Sequence, residues 1–327
     1  MTLLEGVTPR IGVDVGGTKI EVVRLDADGA VADRFRRDTQ QGTVAVVDGI
    51  CSAVAAVLPD APGPATVGVG IPGTVDSAGR VRQAVNLGVV DLDLATILTE
   101  RLHLPVRVEN DVNAAALAAA AMTDSDGQPD EVIALLNLGT GLAAGWVVGG
   151  RLVRGLSGAS GEIGHIPVDP DGVLCGCGQV GCLETIASGS AVARLWPTPD
   201  PVPARDLFAR AAAGDPAARD VRSVVISGIA RAVQIVALTM DPSRIILGGG
   251  LSQVGDDLFG LVSAQLDAVT SPFLASLRLS ERLRRIPSDV PVGAIGAALA
   301  GATTPTRTAP AVGASAQFTR TPLIAEG

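Results

Sequence analysis

Three of the chain's four cysteines, Cys175, Cys177 and Cys182, fall within eight residues, and His165, one of only two histidines, lies just upstream. Three thiolates and one imidazole make the ligand set of a closed tetrahedral zinc site. The glycines between them let the chain turn sharply enough to bring ligands so close in sequence onto one ion. A disulfide is the poorer reading. Cys175 and Cys177 are too near each other to pair easily, and a structural disulfide needs an oxidising compartment. Four protein ligands leave no open coordination position, so the spacing predicts a structural zinc rather than a catalytic one. Two acids, Glu162 and Glu184, bracket this loop.

Two glycine turns carry a second kind of chemistry. Asp14-Val-Gly16-Gly17-Thr18-Lys19 joins two apolar segments, and Leu138-Gly139-Thr140-Gly141 does the same further on. Glycine there lets backbone N–H groups approach an anion without a Cβ in the way, and the threonine hydroxyl adds a donor. Lys19 is the only lysine among 25 Lys and Arg. Either turn alone could be an ordinary hairpin; two at matching places are a stronger phosphate signal. The G-x-x-x-x-G-K-[ST] spacing of a P-loop is absent. Glu109-Asn110-Asp111-Val112-Asn113 stands between a strand and an Ala-rich helix. An Asn or Asp there fits a helix N-cap, and a carboxylate at a strand end fits a general base; the spacing leaves both open.

The elements that must hold these residues form a pattern that occurs twice. Ile11 to Val15, Ile20 to Leu25 and Ala30 to Asp38 read as three strands, followed by a helix from Thr43 to Leu58, a strand from Val67 to Ile71, a strand at 106–109 and a helix opening at Ala114. Ile133 to Leu138, Ala144 to Val148 and Arg151 to Arg154 repeat the three-strand opening, with Asp14-Val-Gly-Gly-Thr matching Asn137-Leu-Gly-Thr. Ile245 to Leu247 is a later strand that runs into Gly248-Gly249-Gly250. Two related α/β halves with a cleft between them are expected, and such clefts are favoured ligand sites. The expected division is residues 1–113, residues 114–290, and a helix near 291–302 that returns to the first half. From Thr303 to Gly327 the composition turns to Pro, Thr, Ala and Gly without periodicity, which reads as a disordered tail.

The bulk composition narrows the partners. The chain has 327 residues, 47% of them hydrophobic, and a net charge of −9. That charge argues against nucleic acid or an anionic membrane as partner. No basic segment leads into an apolar one and no run of 18 apolar residues appears, so neither a signal peptide nor a membrane span is expected. The expected compartment is the cytoplasm, where the cysteines would stay reduced.

Taken together these motifs resemble the ROK family of sugar kinases and sugar-responsive repressors, over about residues 10 to 302. The residues that carry the likeness are Asp14-x-Gly-Gly-Thr-Lys19, Gly70-Ile-Pro-Gly73, Glu109-Asn-Asp-Val-Asn113, Leu138-Gly-Thr-Gly141, Glu162-Ile-Gly-His165, Cys175-Gly-Cys-Gly-x-x-Gly-Cys182-Leu-Glu184 and Leu247-Gly-Gly-Gly250. The resemblance implies an actin-like, hexokinase-type fold of two RNase H-like domains that close over sugar and ATP. It implies that Asp111 takes the proton of the sugar's primary hydroxyl, and that Gly73, Asn110, Glu162, His165 and Glu184 line the sugar site. It places the ATP phosphates at Asp14, Gly16, Gly17, Thr18 and Lys19 and at Gly139, Thr140 and Gly141, with Gly248, Gly249 and Gly250 beside the adenosine. Mg²⁺ would accompany ATP with Asp14 as its protein partner, and a homodimer or homotetramer is expected. His165 would serve both zinc and sugar, through nitrogens that sequence does not distinguish.

The expected activity is ATP-dependent phosphorylation of a hexose 6-hydroxyl, glucose first. The alternatives are an N-acetylglucosamine or N-acetylmannosamine kinase, or a non-catalytic sugar sensor without a DNA-binding domain. Two departures bear on this. Ala143-Ala144 stands where related kinases carry glycine, which could alter nucleotide fit. Gly88-Val89-Val90 follows Asn86-Leu87 where many glucose-active members have a tryptophan, which bears on glucose specificity.

Overall fold

The computed structural model describes residues 9–58, 65–124, 128–254, 256–287 and 289–302. The stretch expected to be a disordered tail lies outside the described residues. The chain begins with three antiparallel strands, β1 (Arg10–Val15), β2 (Lys19–Leu25) and β3 (Val31–Asp38), then helix α1 (Thr43–Ala55) and strand β4 (Thr66–Ile71). Three short strands follow, β5 (Thr74–Val75), β6 (Val81–Ala84) and β7 (Val89–Leu92), then α2 (Leu94–Leu102), β8 (Val106–Asn110) and α3 (Asp111–Met122). The second half opens with β9 (Val132–Leu138), β10 (Leu142–Val148) and β11 (Arg151–Leu152). After the metal loop come α4 (Glu184–Ala187), α5 (Gly189–Leu195), α6 (Pro203–Ala212), α7 (Pro216–Met240), β12 (Arg244–Gly248), α8 (Asp256–Asp267), α9 (Pro272–Ser276), α10 (Leu279–Arg282), β13 (Leu283–Arg285) and α11 (Val292–Ala302).

The duplication read from the glycine turns is present in the topology. One sheet has the order β3-β2-β1-β4-β8 and the other β11-β10-β9-β12-β13. In each, an antiparallel hairpin supplies the central strand, and two further strands add to it in parallel. Strand β11 ends at Leu152, two residues before the expected end at Arg154. The sequence reading did not foresee the small antiparallel sheet β5-β6-β7, whose strands are two to four residues long and too short to show a period.

Helices α3 and α11 lie between the two sheets. Val112, Ala115, Ala116 and Leu117 of α3 pack with Ile133, Leu135 and Val147 of the second sheet and Ala300 of α11. On its other side α11 meets the first sheet, where Ala294 and Ala298 share a cluster with Val23 and Leu25. Glycine and alanine make this layer thin. A Cβ on Gly68 of β4 would stand 1.7 Å from the Ala297 carbonyl oxygen, and one on Gly296 would stand 1.7 Å from the carbonyl oxygen of Ala114. Backbone contact of this kind excludes any larger residue. Helix α3 runs across the position after residue 113 where the two halves were expected to divide.

Each sheet also has its own outer core. Ile11, Val13, Val67 and Val69 pack with Val46, Ile50 and Val54 of α1 and Leu94 and Leu98 of α2. Leu136, Leu138, Ile245 and Leu247 pack with Ile229, Val233 and Val236 of α7. By length and composition α7 would pass for a membrane span, but half of its most apolar window is buried against the second sheet.

Candidate active site

The first wall of the site is the row of carboxyl ends of three parallel strands. Asp14 of β1 stands in register with Gly70 of β4, and Gly70 with Glu109 of β8. Ligands gather at such strand ends because the chain there turns and exposes backbone and side chains together. Asn110 caps α3: its Oδ1 accepts from the Asn113 backbone N–H at 3.0 Å. Its Nδ2 donates to the carbonyl oxygen of Gly73 at 3.1 Å, which ties the Gly70–Gly73 turn to the helix start. Asp111 is therefore the first residue of the helix, and the cap is its neighbour Asn110. Its carboxylate accepts from the next backbone N–H, that of Val112, at 2.9 Å. The side chain is half-buried, and the surrounding protein raises its pKa from 3.8 to about 6, helped by the nearby Glu162 carboxylate. Burial disfavours the charged form, and an adjacent like charge adds to the cost.

Asp14 is more strongly perturbed. Burial, then the Asp111 and Glu21 carboxylates, push it to about 7 against the pull of Lys19. Its carboxylate abuts the first turn of α11: a Cβ on Gly293 would stand 2.4 Å from an Asp14 oxygen. Glu21 lies opposite Asp14 across the hairpin and is itself buried. Burial alone would raise it, but Arg36 and Arg34, donating at 2.5 and 2.6 Å, hold it below the usual glutamate value. Glu21 interrupts the otherwise apolar Ile20–Val23, and that interruption was the sequence signal that could have found it. Gly17, Thr18 and Lys19 are exposed at the tip of the turn. Gly17 has only the Asn86 side chain within 4 Å of where its Cβ would be, so its backbone is open to an anion.

The second wall comes from the other sheet. Gly139–Gly141 forms the β9–β10 turn, and Gly249 (φ 83°) lies against it, with its Cβ position 2.4 Å from the Leu138 carbonyl carbon. Gly248 ends β12, and nothing stands within 4 Å of the Gly250 Cβ position. Ala143 and Ala144 lie in β10 rather than in the turn. Ala143 packs in the cluster between the sheets and Ala144 in the outer core of the second sheet. Their methyl groups are thus absorbed by packing.

The Cys/His loop completes this wall. The donor atoms of His165, Cys175, Cys177 and Cys182 lie within 4.8 Å of one another. Cys177 Sγ is 3.6 Å from Cys182 Sγ, and Cys175 Sγ is 3.7 Å from His165 Nδ1. Around a tetrahedral zinc, bond lengths of about 2.3 Å to sulfur and about 2.0 Å to nitrogen put neighbouring donors about 3.5–3.8 Å apart. The cluster therefore has the size of a zinc site, and Nδ1 is the histidine nitrogen that faces it. Burial pushes the Cys175 thiol up to about 12 and Cys182 upward, whereas the Gln179 amides draw exposed Cys177 down to about 6. Thiols this close become thiolates together only around a cation. The same loop positions two acids. Glu162 precedes the 3₁₀ turn Ile163–His165, and Glu184 opens α4 two residues after Cys182. Glu184 Oε1 accepts from Cys175 Sγ at 3.0 Å, and its other oxygen lies 3.0 Å from the Gly141 Cβ position, so it joins the metal loop to the second glycine turn. The Glu162 side chain stays open to solvent, but protein around it raises its pKa, with Glu184 adding to the effect and His165 opposing it.

Sequence comparison identifies the family that shares this arrangement. The ROK family model matches residues 10–299. The chain belongs to the ROK family. Among its relatives is a glucokinase of Halalkalibacterium halodurans, 33% identical over 292 residues that cover 81% of this chain and 87% of that one. An N-acetylmannosamine kinase of Shigella boydii is 31% identical, over 82% of this chain and 91% of its own length. A ROK family glucokinase from Streptomyces griseus, solved with glucose and AMPPNP, superposes with a TM-score of 0.74 at 30% identity, over 90% of this chain and 99% of that one. The actin-like fold and the sugar-kinase class expected from the motifs agree with these ROK relatives.

Besides Glu21, two polar contacts of the site escaped the sequence reading. Asn113 is buried and donates to Glu109 through Nδ2 at 3.0 Å. Arg154 reaches Glu109 from the far side of the cleft, donating through Nε at 2.6 Å. Nothing in the sequence sets Arg154 apart from the other arginines, because its partner is 45 residues away.

Proposed function

We propose that this ROK protein is an ATP-dependent hexose kinase acting on the sugar 6-hydroxyl, with glucose as the leading substrate. The observation that carries the reading is Asp111. It heads a helix without capping it, lies near the Glu162 carboxylate of the other half, and has a pKa near 6, close to where a general base works best. In this reading an Asp111 oxygen takes the hydroxyl proton as the sugar oxygen bonds to the γ-phosphorus, and the bond from that phosphorus to the bridging oxygen of ADP breaks in line. Asn110, Glu162, Glu184 and the remaining His165 nitrogen hold the ring hydroxyls beside the Gly73 turn. Backbone N–H groups of the turns at Gly16–Lys19 and Gly139–Gly141, with Lys19, hold the ATP phosphates. Gly248–Gly250 borders the adenosine.

Asp14 suits a cation. It is an acid raised to about 7 beside two further carboxylates, and a divalent ion at that point restores its ionised form. Mg²⁺ supplies charge neutralisation on the phosphate oxygens when bound. Zinc at His165, Cys175, Cys177 and Cys182 holds the loop that carries Glu162 and Glu184 and takes no chemical step. The two halves, residues 1–113 with α11 and residues 114–290, would close over both substrates.

A second reading has specific support: N-acetylmannosamine kinases stand among the relatives at 30–32% identity, close to the 33–35% of the glucokinases. The test is sugar phosphate formation from glucose, mannose, fructose, N-acetylglucosamine and N-acetylmannosamine, with ATP and with polyphosphate as donor. Highest kcat/KM for glucose with ATP is the expected result. A preference for an N-acetylhexosamine selects the second reading, and no product from any pair overturns the kinase assignment.

A further inference from the structure

The segment Arg154–Gly161 leaves β11 in the second sheet and leads to Glu162, but its contacts reach the first half. Arg154 Nε donates to Glu109 Oε2 at 2.6 Å, at the end of β8. A Cβ on Gly158 (φ 78°) would stand 2.8 Å from the Val75 carbonyl oxygen in β5. At its far end the Gly161 carbonyl accepts from the Ala144 N–H of β10 at 2.8 Å. The segment is thus a strap across the cleft, fixed to β8 and β5 on one side and to β10 on the other.

Glu109 is not a simple surface partner. Its side chain is 7% exposed. Its other oxygen accepts from the Asn110 backbone N–H and from Asn113 Nδ2, both at 3.0 Å. Asn110 in turn caps α3 and holds Gly73. One buried carboxylate therefore fixes the backbone just before Asp111 and, through Arg154, the strap that ends at Glu162. A buried charge left without its partner is costly, so the pair resists separation.

We propose that Arg154 and Glu109 form a positioning pair, which sets the register of Glu162 on the second wall against Asn110 and Asp111 on the first. This deepens the sugar-kinase reading and rests on it. Arg154 touches neither substrate in this proposal; it acts through the strap. The pair should govern sugar binding and leave the nucleotide side alone, since neither residue belongs to the glycine turns.

The test is Arg154→Gln and Glu109→Gln, singly and combined, with Arg154→Lys as the conservative variant, all in the full chain. Arg154→Gln should raise the sugar KM by about tenfold or more, as expected when a positioned group shifts, while the ATP KM stays within about twofold. The double variant should be no worse than the poorer single one, and Arg154→Lys should recover part of the loss. Hydrogen exchange without ligand should speed up at residues 155–161 in Arg154→Gln while zinc content stays the same. This readout needs no turnover, so it tests the strap even if the parent proves inactive on every sugar, the result that overturns the kinase reading itself. Three results would overturn the positioning pair: unchanged exchange at 155–161, equal rises in sugar and ATP KM, or additive losses in the double variant.

Discussion

The two glycine turns occupy the same place in two sheets of the same topology, yet only one carries charge. In the first hairpin Asp14 faces Glu21 across β1 and β2, with Lys19 at the end of the turn. In the second, Asn137 faces Ala143 across β9 and β10. Burial and the neighbouring carboxylates raise Asp14 to about 7; Asn137 carries no charge to perturb. Conversely, only the second half has the Cys/His loop with its two acids. The duplicated backbone supplies two equivalent glycine turns, and in the proposed reading the side chains divide the work: cation and base on one wall, sugar-facing acids on the other. Fold symmetry sets positions, while the chemistry belongs to particular side chains.

The largest expected effect comes from removing the base on the charged wall. Asp111→Asn should lower turnover by roughly 10²–10⁴-fold with little change in sugar KM. In the parent, Asp111 must be ionised to accept a proton, so kcat/KM should fall as pH drops through about 6. The variant should lack that limb. The raised pKa also means that the folded state holds this proton more tightly than the unfolded chain does. Stability therefore declines as pH rises from about 4 to about 6. Thermal melts at pH 8 should accordingly show the variant at least as stable as the parent. A clear fall in its Tm would mean that Asp111 is structural after all.

Asp14→Asn makes the first turn resemble the second. Turnover should drop roughly 10²-fold, with a matching loss of Mg²⁺ dependence at limiting metal. An active variant with normal Mg²⁺ titration would erase the distinction between the two turns. The device unique to the second wall is tested by Cys177→Ala. Metal analysis should show zinc lost, and the sugar KM should rise by about tenfold while the ATP KM holds, because the loop carries Glu162 and Glu184 but not the turns. Normal sugar KM in zinc-free protein would detach the metal from the site. The smallest effect belongs to Asn137→Asp, which places a carboxylate where the second turn has none. ATP KM should rise a few-fold through repulsion of the phosphates, and the change should not rescue Asp14→Asn. Rescue in the double variant would show that the two cradles are interchangeable.

Local spacing made much of this site legible. His165, Cys175, Cys177 and Cys182 lie within 18 residues, and their types match the ligand set of a tetrahedral zinc site. Both glycine turns stand between apolar runs of strand length, and their repetition announced the duplicated topology that the two sheets display. The sequence was also enough to mark Asp111 as either cap or base. It could not say which residue is the cap, because that depends on which side chain meets the Asn113 N–H, a matter of one residue's backbone angles. Likewise only the folded chain decides that His165 turns Nδ1 toward the cysteines, and that α11 comes back from the far end to lie on Asp14. The Glu109–Arg154 bridge belongs to the same class. Periodicity and motif spacing report on residues that are neighbours along the chain; contacts across the cleft are set by the packing of Gly- and Ala-rich helices between two sheets, and no local pattern encodes them.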